Sequence, residues 1–158
     1  MNTFLLYWNP HFSSYKVKNF LEEFDFEEER DLLTEDDWGL PDDFKWSIVE
    51  HEDAHAGDRF FFVRTGNEKP TGMFGAGYFI SEPYEVEDPG GQGRKVFCMD
   101  LEIEEIIKPD SERILATETL EGAIPEIDWT AGKADVMVSE EVAEIIESLW
   151  KQHIESIW

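Results

Sequence analysis

Apolar and polar positions change period several times along the chain, and each change marks an element. Thr3 to Trp8 is an unbroken apolar and aromatic run closed by Asn9-Pro10, which predicts a buried first strand. Val17, Phe20, Leu21 and Phe24 then recur at helical spacing behind Ser13-Ser14, predicting a capped helix from about Tyr15 to Phe24. Lys45 to His55 is expected as a short helix or turn. Gly57-Asp58 signals a turn, Arg59 to Arg64 is an aromatic strand, Thr65 to Thr71 a loop, and Gly72 to Ser81 a second strand. That second strand contains Gly72, Gly75 and Gly77, and glycines within a strand mark a bulge, a tight bend or a close backbone approach. The two strands are expected to form a hairpin at the spine of a small, curved, mostly antiparallel sheet.

Glu82 to Gly93 reads as a loop. Arg94 to Ile107 reads as a third, long strand whose imperfect alternation predicts a bulge or a change of face. Ser111 to Leu120 is expected to hold a helical turn, and Asp128 to Val138 a turn followed by a short strand. Ser139 caps a helix to about Ile154, with Glu140 and Glu141 in the first turn, where the helix dipole favours negative charge. Val142, Ile145, Ile146, Leu149, Trp150 and Ile154 form one apolar stripe, which requires the sheet as its partner. Nothing divides the 158 residues into two domains.

Charge narrows the functional classes. Thirteen basic against 37 acidic side chains give a formal net charge of -24. Nucleic-acid affinity comes largely from Lys and Arg neutralising phosphates, so the balance opposes generic duplex binding. It leaves open a local basic groove, or a partner that is itself basic. Twelve of the acidic residues fall between Glu22 and Asp43 against Arg30 alone, an acidic insertion read as a solvated face or, alternatively, a docking surface. No apolar run approaches the roughly 20 residues that span a bilayer, and the start lacks the basic flank of a signal peptide, so no membrane association is expected. Cys98 is the single cysteine, which fits a reducing, cytoplasmic setting.

The candidate chemistry is sparse. His51-Glu52-Asp53-Ala54-His55 matches H-E-x-x-H, in which two imidazoles on one helical face hold Zn²⁺ and the glutamate acts as base. Gly57-Asp58 stops any helix there, so a polar turn is the expected reading and a metal hydrolase the remote one. Cys98 sits in a predicted strand, no serine occupies a nucleophile elbow, and the glycines of the second strand lack the lysine of a phosphate loop. Aromatic residues are plentiful, and a pocket lined by two or three of them stacks on a planar base. Trp46 and Ser47, with Phe61, Gly75 and Tyr78 of the hairpin, are the expected pocket. Arg59, Arg64, Lys69, Arg94 and Lys95 are the expected phosphate-facing cations.

Trp46, Gly57-Asp58-Arg59-Phe60, Gly72-Met73-Phe74-Gly75-Ala76-Gly77 and Ser81-Glu82-Pro83-Tyr84 follow one another in an order that resembles the PUA-like superfamily. More narrowly, the chain is similar to EVE-type domains and to EVE-like modules fused to HNH endonucleases. Ile124 to Trp129 and the closing Glu141 to Trp150 helix extend the resemblance, which covers roughly Trp46 to Trp150. It implies a small β-barrel flanked by helices, with an aromatic pocket for a modified base such as methylated or hydroxymethylated cytosine. Thr71 departs from the arginine that often precedes the glycine in those modules. The expectation is a non-enzymatic module without cofactor that binds a modified or unpaired base in nucleic acid. The alternative is an acidic interaction protein, a DNA mimic seated on a basic partner.

Overall fold

The computed structural model describes residues 1–13, 15–26, 31–41, 44–49, 52–87, 93, 95–130 and 134–157. Ser14, His51 and Arg94, singled out above, lie outside this set, as does part of the acidic segment. The described elements are, in chain order, β1 (Thr3–Trp8), α1 (Val17–Glu23), β2 (Leu32–Thr34), β3 (Phe44–Ser47), β4 (Arg59–Arg64), β5 (Gly72–Phe79), β6 (Tyr84–Glu87), β7 (Lys95–Ile107), β8 (Leu115–Ala116), α2 (Thr117–Ala123), β9 (Asp135–Val138) and α3 (Glu140–Ile157). The strands make one sheet ordered β2-β7-β5-β4-β1-β9, with β3 and β6 also on β7 and β8 on β5. The class is α+β.

The expected hairpin is present, with β4 antiparallel to β5 and Phe60 opposite Gly77, Phe62 opposite Gly75. The phenyl rings of β4 lie over the glycines of β5. A Cβ at Gly77 would sit 2.7 Å from Phe60 Cζ and collide with the Glu102 carbonyl oxygen; one at Gly75 would sit 3.1 Å from Phe62 Cδ2. Register slips on both sides of β5, between Phe62 and Val63 and between Ala76 and Gly77, and the second slip is the bulge expected in β7. Bulges add local twist and bend the sheet.

Two elements differ from expectation. Residues 44–47 are a strand rather than a helix or turn, because Phe44 and Trp46 face inward while Lys45 and Ser47 are exposed, a period of two that pairs with β7. Tyr84–Glu87 is likewise a strand rather than loop: Tyr84 and Val86 are half-buried between exposed Glu85 and Glu87, against Lys95 to Cys98 of β7.

The sheet is curled but does not close into the expected antiparallel barrel. In the strand order β3 and β4 are separated by β7 and β5, so in a flat sheet they would stand about 14 Å apart. Yet the Trp46 and Phe62 ring centroids are 5.0 Å apart. Phe20 of α1 plugs the hollow, its ring 4.8 Å from Trp8, 6.0 Å from Trp46 and from Phe62, and 5.4 Å from Phe74. At the far end β3 meets β9 through a side chain and not through a ladder: the Val49 N–H donates to Asp135 Oδ1 at 2.7 Å, and Asp135 is buried. Nor is the order wholly antiparallel, because β1 pairs with β4 in parallel.

The opposite face of the sheet carries α3. Ser139 Oγ accepts from the Val142 N–H at 3.2 Å, as a cap should, and Val142, Ile146, Trp150 and Ile154 are buried while Ile145 stays exposed. Trp150 meets Phe61 edge-on at 6.3 Å. No helix among the described residues is long and apolar enough to cross a membrane.

Gly77→Ala is therefore expected to lower stability by about 3 kcal/mol, at the upper end for an overpacked core. Gly122→Ala, in α2 with open space around it, is expected to raise it by up to about 1 kcal/mol. Denaturant midpoints of the two variants check both signs.

Candidate functional site

The parallel pairing of β1 and β4 sets their carboxyl ends side by side, with Trp8 opposite Arg64. The Thr65 N–H extends the pair by donating to the Trp8 carbonyl at 2.8 Å. The loops leaving these strands, 9–13 and 65–71, therefore emerge together. Gly66, at φ +117, turns the second loop so tightly that a Cβ there would stand 2.9 Å from Asn9 Oδ1. Curling of the sheet then brings the end of β3 to the same place.

Between these parts lies a cleft of about 630 Å³ lined by Tyr7, Trp8, Asn9, Phe12, Ser13, Trp46, Ser47, Thr65, Gly66, Asn67, Thr130 and Ala134. It occupies the seam where the curled sheet fails to zip shut, and β3 is paired along one edge only among the described strands. None of these lining residues carries a charged side chain, in a protein with a net charge of -24.

Trp46 differs from the buried tryptophans Trp8, Trp129 and Trp150. Trp8 donates its indole N–H to Tyr15 O at 2.6 Å, Trp129 to Ile124 O at 3.1 Å and Trp150 to Glu105 Oε1 at 3.0 Å, and all three are buried. Trp46 is half-buried, with one side against Phe62 and Tyr15 (5.0 and 5.5 Å between centroids), and its other side lines the cleft. Tyr7, at the cleft wall, donates to the Asp128 carbonyl at 3.2 Å; burial and the Asp128 charge push its phenol up to about 12, so it is a neutral donor at any ordinary pH.

The remaining residues expected in the site do not join Trp46 and Ser47. Arg59 is 2% exposed on the α3 face, where Nε meets Glu147 Oε1 at 2.7 Å and Nη2 meets Glu104 Oε1 at 3.0 Å. Its guanidinium lies over the rings of Tyr78 and Phe61 at 4.6 and 4.9 Å. Burial disfavours this charge, but Glu147 and Glu104 outweigh it and raise the pKa. Arg59, Phe61 and Tyr78 thus form a structural anchor between sheet and helix, facing away from the cleft. Gly75 is interior. Arg64 is 4% exposed beneath Trp8 and donates to the Pro109 carbonyl at 2.9 Å, which closes it to a phosphate. Lys69 and Lys95 are exposed and engage Glu118 and Glu85, both at 3.2 Å.

Sequence reasoning missed Tyr7, Asn9, Phe12, Thr65, Asn67 and Thr130. Asn9-Pro10 announced only a strand end. Phe12 carried a faint signal, as an aromatic residue outside either neighbouring periodic run.

Among the described residues the H-E-x-x-H stretch is not helical: Glu52 and Asp53 lie in a turn and His55 starts the turn that leads to β4, while His51 is outside the described residues. His55 Nδ1 meets Glu82 Oε1 at 2.8 Å, and the His55 backbone N–H donates to Asp58 Oδ2 at 2.8 Å. No cluster of three metal-ligating side chains occurs among the described residues. The Glu82 contact raises the His55 pKa. An NMR titration is expected to place His55 above the usual value of about 6.5, and Glu82→Gln to return it there. Because the folded His55 value is raised and the folded Glu82 value lowered, the pair's small contribution to stability is full between about pH 4.5 and 6.5, fading as pH rises through the folded His55 value and as it falls through the folded Glu82 value.

No protein-family model matches the chain, and no curated protein matches it. Among solved structures it is similar to the NMR structure of Rpa0253 from Rhodopseudomonas palustris, with a TM-score of 0.55 at 14% identity over 94% of this chain and 92% of that one. It is also similar to the crystal structure of Atu2648 from Agrobacterium tumefaciens, with a TM-score of 0.51 at 11% identity over 94% and 93% of the two chains. At such identities the likeness concerns the fold alone, over 94% of this chain.

Proposed function

We propose that this chain is a non-enzymatic, PUA-like module of the EVE type that binds a nucleobase, modified or unpaired, in the cleft beside Trp46. The observation that carries the reading is Trp46 itself: a firmly backed, half-buried indole at the wall of a hollow whose described lining side chains are uncharged. A base stacked there gains ring contact of the kind worth about 1–3 kcal/mol. Ser47, Asn67, Thr65 and Thr130 offer hydroxyl and amide groups to its edges, and the neutral Tyr7 phenol adds a polar wall. The edge of β3 that no described strand pairs with offers backbone groups as well. The seam, wider than a closed ladder would leave, gives a splayed-out base a way in.

The reading differs from ordinary nucleic-acid binding in its electrostatics. Arg59 and Arg64 are committed internally, so recognition falls on the base and not on the phosphates. Titration with single-stranded oligonucleotides and nucleosides containing cytosine, 5-methylcytosine or 5-hydroxymethylcytosine is expected to show binding with a salt slope below about one phosphate's worth, roughly 0.7 for a single strand. Trp46→Ala is expected to weaken it at least tenfold, about 1.4 kcal/mol, and Trp46→Phe to retain part of it. Absence of binding at low salt, or full affinity in Trp46→Ala, removes the proposal.

A second reading, docking of the acidic face on a basic partner, is favoured by Trp38. It is fully exposed beside Glu35, Asp36 and Asp37, on a turn fixed by the Thr34 N–H to Asp37 Oδ2 bond of 2.7 Å. That reading expects salt-sensitive displacement of duplex DNA from a basic DNA-binding protein. Replacing the three acids by their amides together with Trp38→Ala is expected to abolish the displacement while leaving base binding intact.

A further inference from the structure

We propose that the site takes two consecutive bases of a single strand and that Phe12 is the wedge between them. This deepens the base-binding reading and rests on it. A second hollow of about 250 Å³, lined by Asn9, Pro10, His11, Phe12, Thr65, Asn67 and Glu68, adjoins the main cleft. Asn9, Phe12, Thr65 and Asn67 line both. Those shared residues are the partition between the two spaces. The smaller one, below the roughly 300–1,000 Å³ of pockets for drug-sized ligands, suits a single planar ring.

Phe12 is 82% exposed, and it lines both hollows. Its backbone is nevertheless held fast. The Phe12 and Ser13 N–H groups donate to the Asn9 carbonyl at 3.1 and 2.8 Å, and the His11 N–H donates to Asn9 Oδ1 at 3.0 Å. Lys16 Nζ crosses beneath, bonded to the carbonyls of Pro10 and His11 at 2.8 and 3.3 Å. The His11 ring meets Phe12 edge-on at 4.8 Å. An exposed ring on an ordered turn is preorganised, so a ligand that covers it does not have to fix the loop first.

Single-stranded recognition commonly proceeds by separating neighbouring bases and stacking each on an aromatic plane. Apolar side chains inserted between base steps act in the same way on duplexes. Here one base enters the seam against Trp46, and its neighbour lies in the smaller hollow on Phe12. Asn9, Thr65 and Asn67 form the polar partition. Glu68 lines the smaller hollow, so recognition there too falls on the base and not on the phosphate. A lone nucleoside fills only the first space.

Calorimetry on the full chain with 2′-deoxycytidine and 5-methyl-2′-deoxycytidine monophosphates, and with their dinucleotides carrying thymidine on the 5′ or the 3′ side, tests this. One of the two dinucleotide polarities is expected to bind about tenfold tighter than the mononucleotide. Phe12→Ala is expected to abolish that gain, weakening the favoured dinucleotide about tenfold more than the mononucleotide, and Phe12→Trp to keep it; being exposed, the position tolerates both changes. Equal affinities for mononucleotide and dinucleotide in the unaltered protein overturn the two-base site. So does a Phe12→Ala variant that retains the gain, or one that weakens both ligands equally. In those cases Trp46-dependent mononucleotide binding still stands, whereas no binding of any probe removes both proposals.

Discussion

Phenyl rings lying where the neighbouring strand has no side chains are the constraint on which this molecule rests. Phe60 and Phe62 of β4 occupy the space above Gly77 and Gly75 of β5, and a Cβ there has nowhere to go. Bare backbone on one strand and bulky rings on the next let the sheet bend toward its ring-bearing face, and the register slips flanking β5 sharpen that bend. From the bend follow the contact of Trp46 with Phe62, the hollow that Phe20 fills, and the approach of β3 to β9. An alanine at Gly77 would act on all three at once.

The curl stops short of closure, and this leaves a cleft open along the seam. Two strand ends joined by a buried carboxylate and a backbone N–H, Asp135 to Val49, leave a gap beside them that a continuous ladder would have sealed. The parallel β1–β4 pair delivers two loops to the mouth of that gap. The opposite face has a different task. There Arg59, pinned between Glu104, Glu147 and two aromatic rings, ties β4 to α3, and its charge serves the fold. The protein thus keeps a buried cation on the α3 side and, among the described residues, a cleft lined by uncharged side chains on its open side.

Much of the architecture was legible because it follows from local pattern. The all-apolar β1, the hairpin, the bulge in β7 and the capped α3 stripe each arise from residues close together in sequence. Short strands were not: Phe44–Ser47 and Tyr84–Glu87 hold a two-residue alternation too brief to stand out, and only β7 gives them an edge to pair with. Arg59 and Tyr78 looked like neighbours of Trp46 because they share the hairpin. A strand sends alternate residues to opposite faces, and that parity put them under α3, facing away from the cleft.

By itself the sequence determined the class, the central hairpin, the closing helix, and Trp46 with Ser47 as residues worth watching. The tertiary structure decided where the cleft lies and which residues surround it. The division has a physical cause. Periodicity and turn chemistry act over a few residues, whereas Tyr7, Phe12, Trp46, Asn67 and Thr130 meet only after a parallel strand pair and the curl of a sheet have joined segments more than a hundred residues apart.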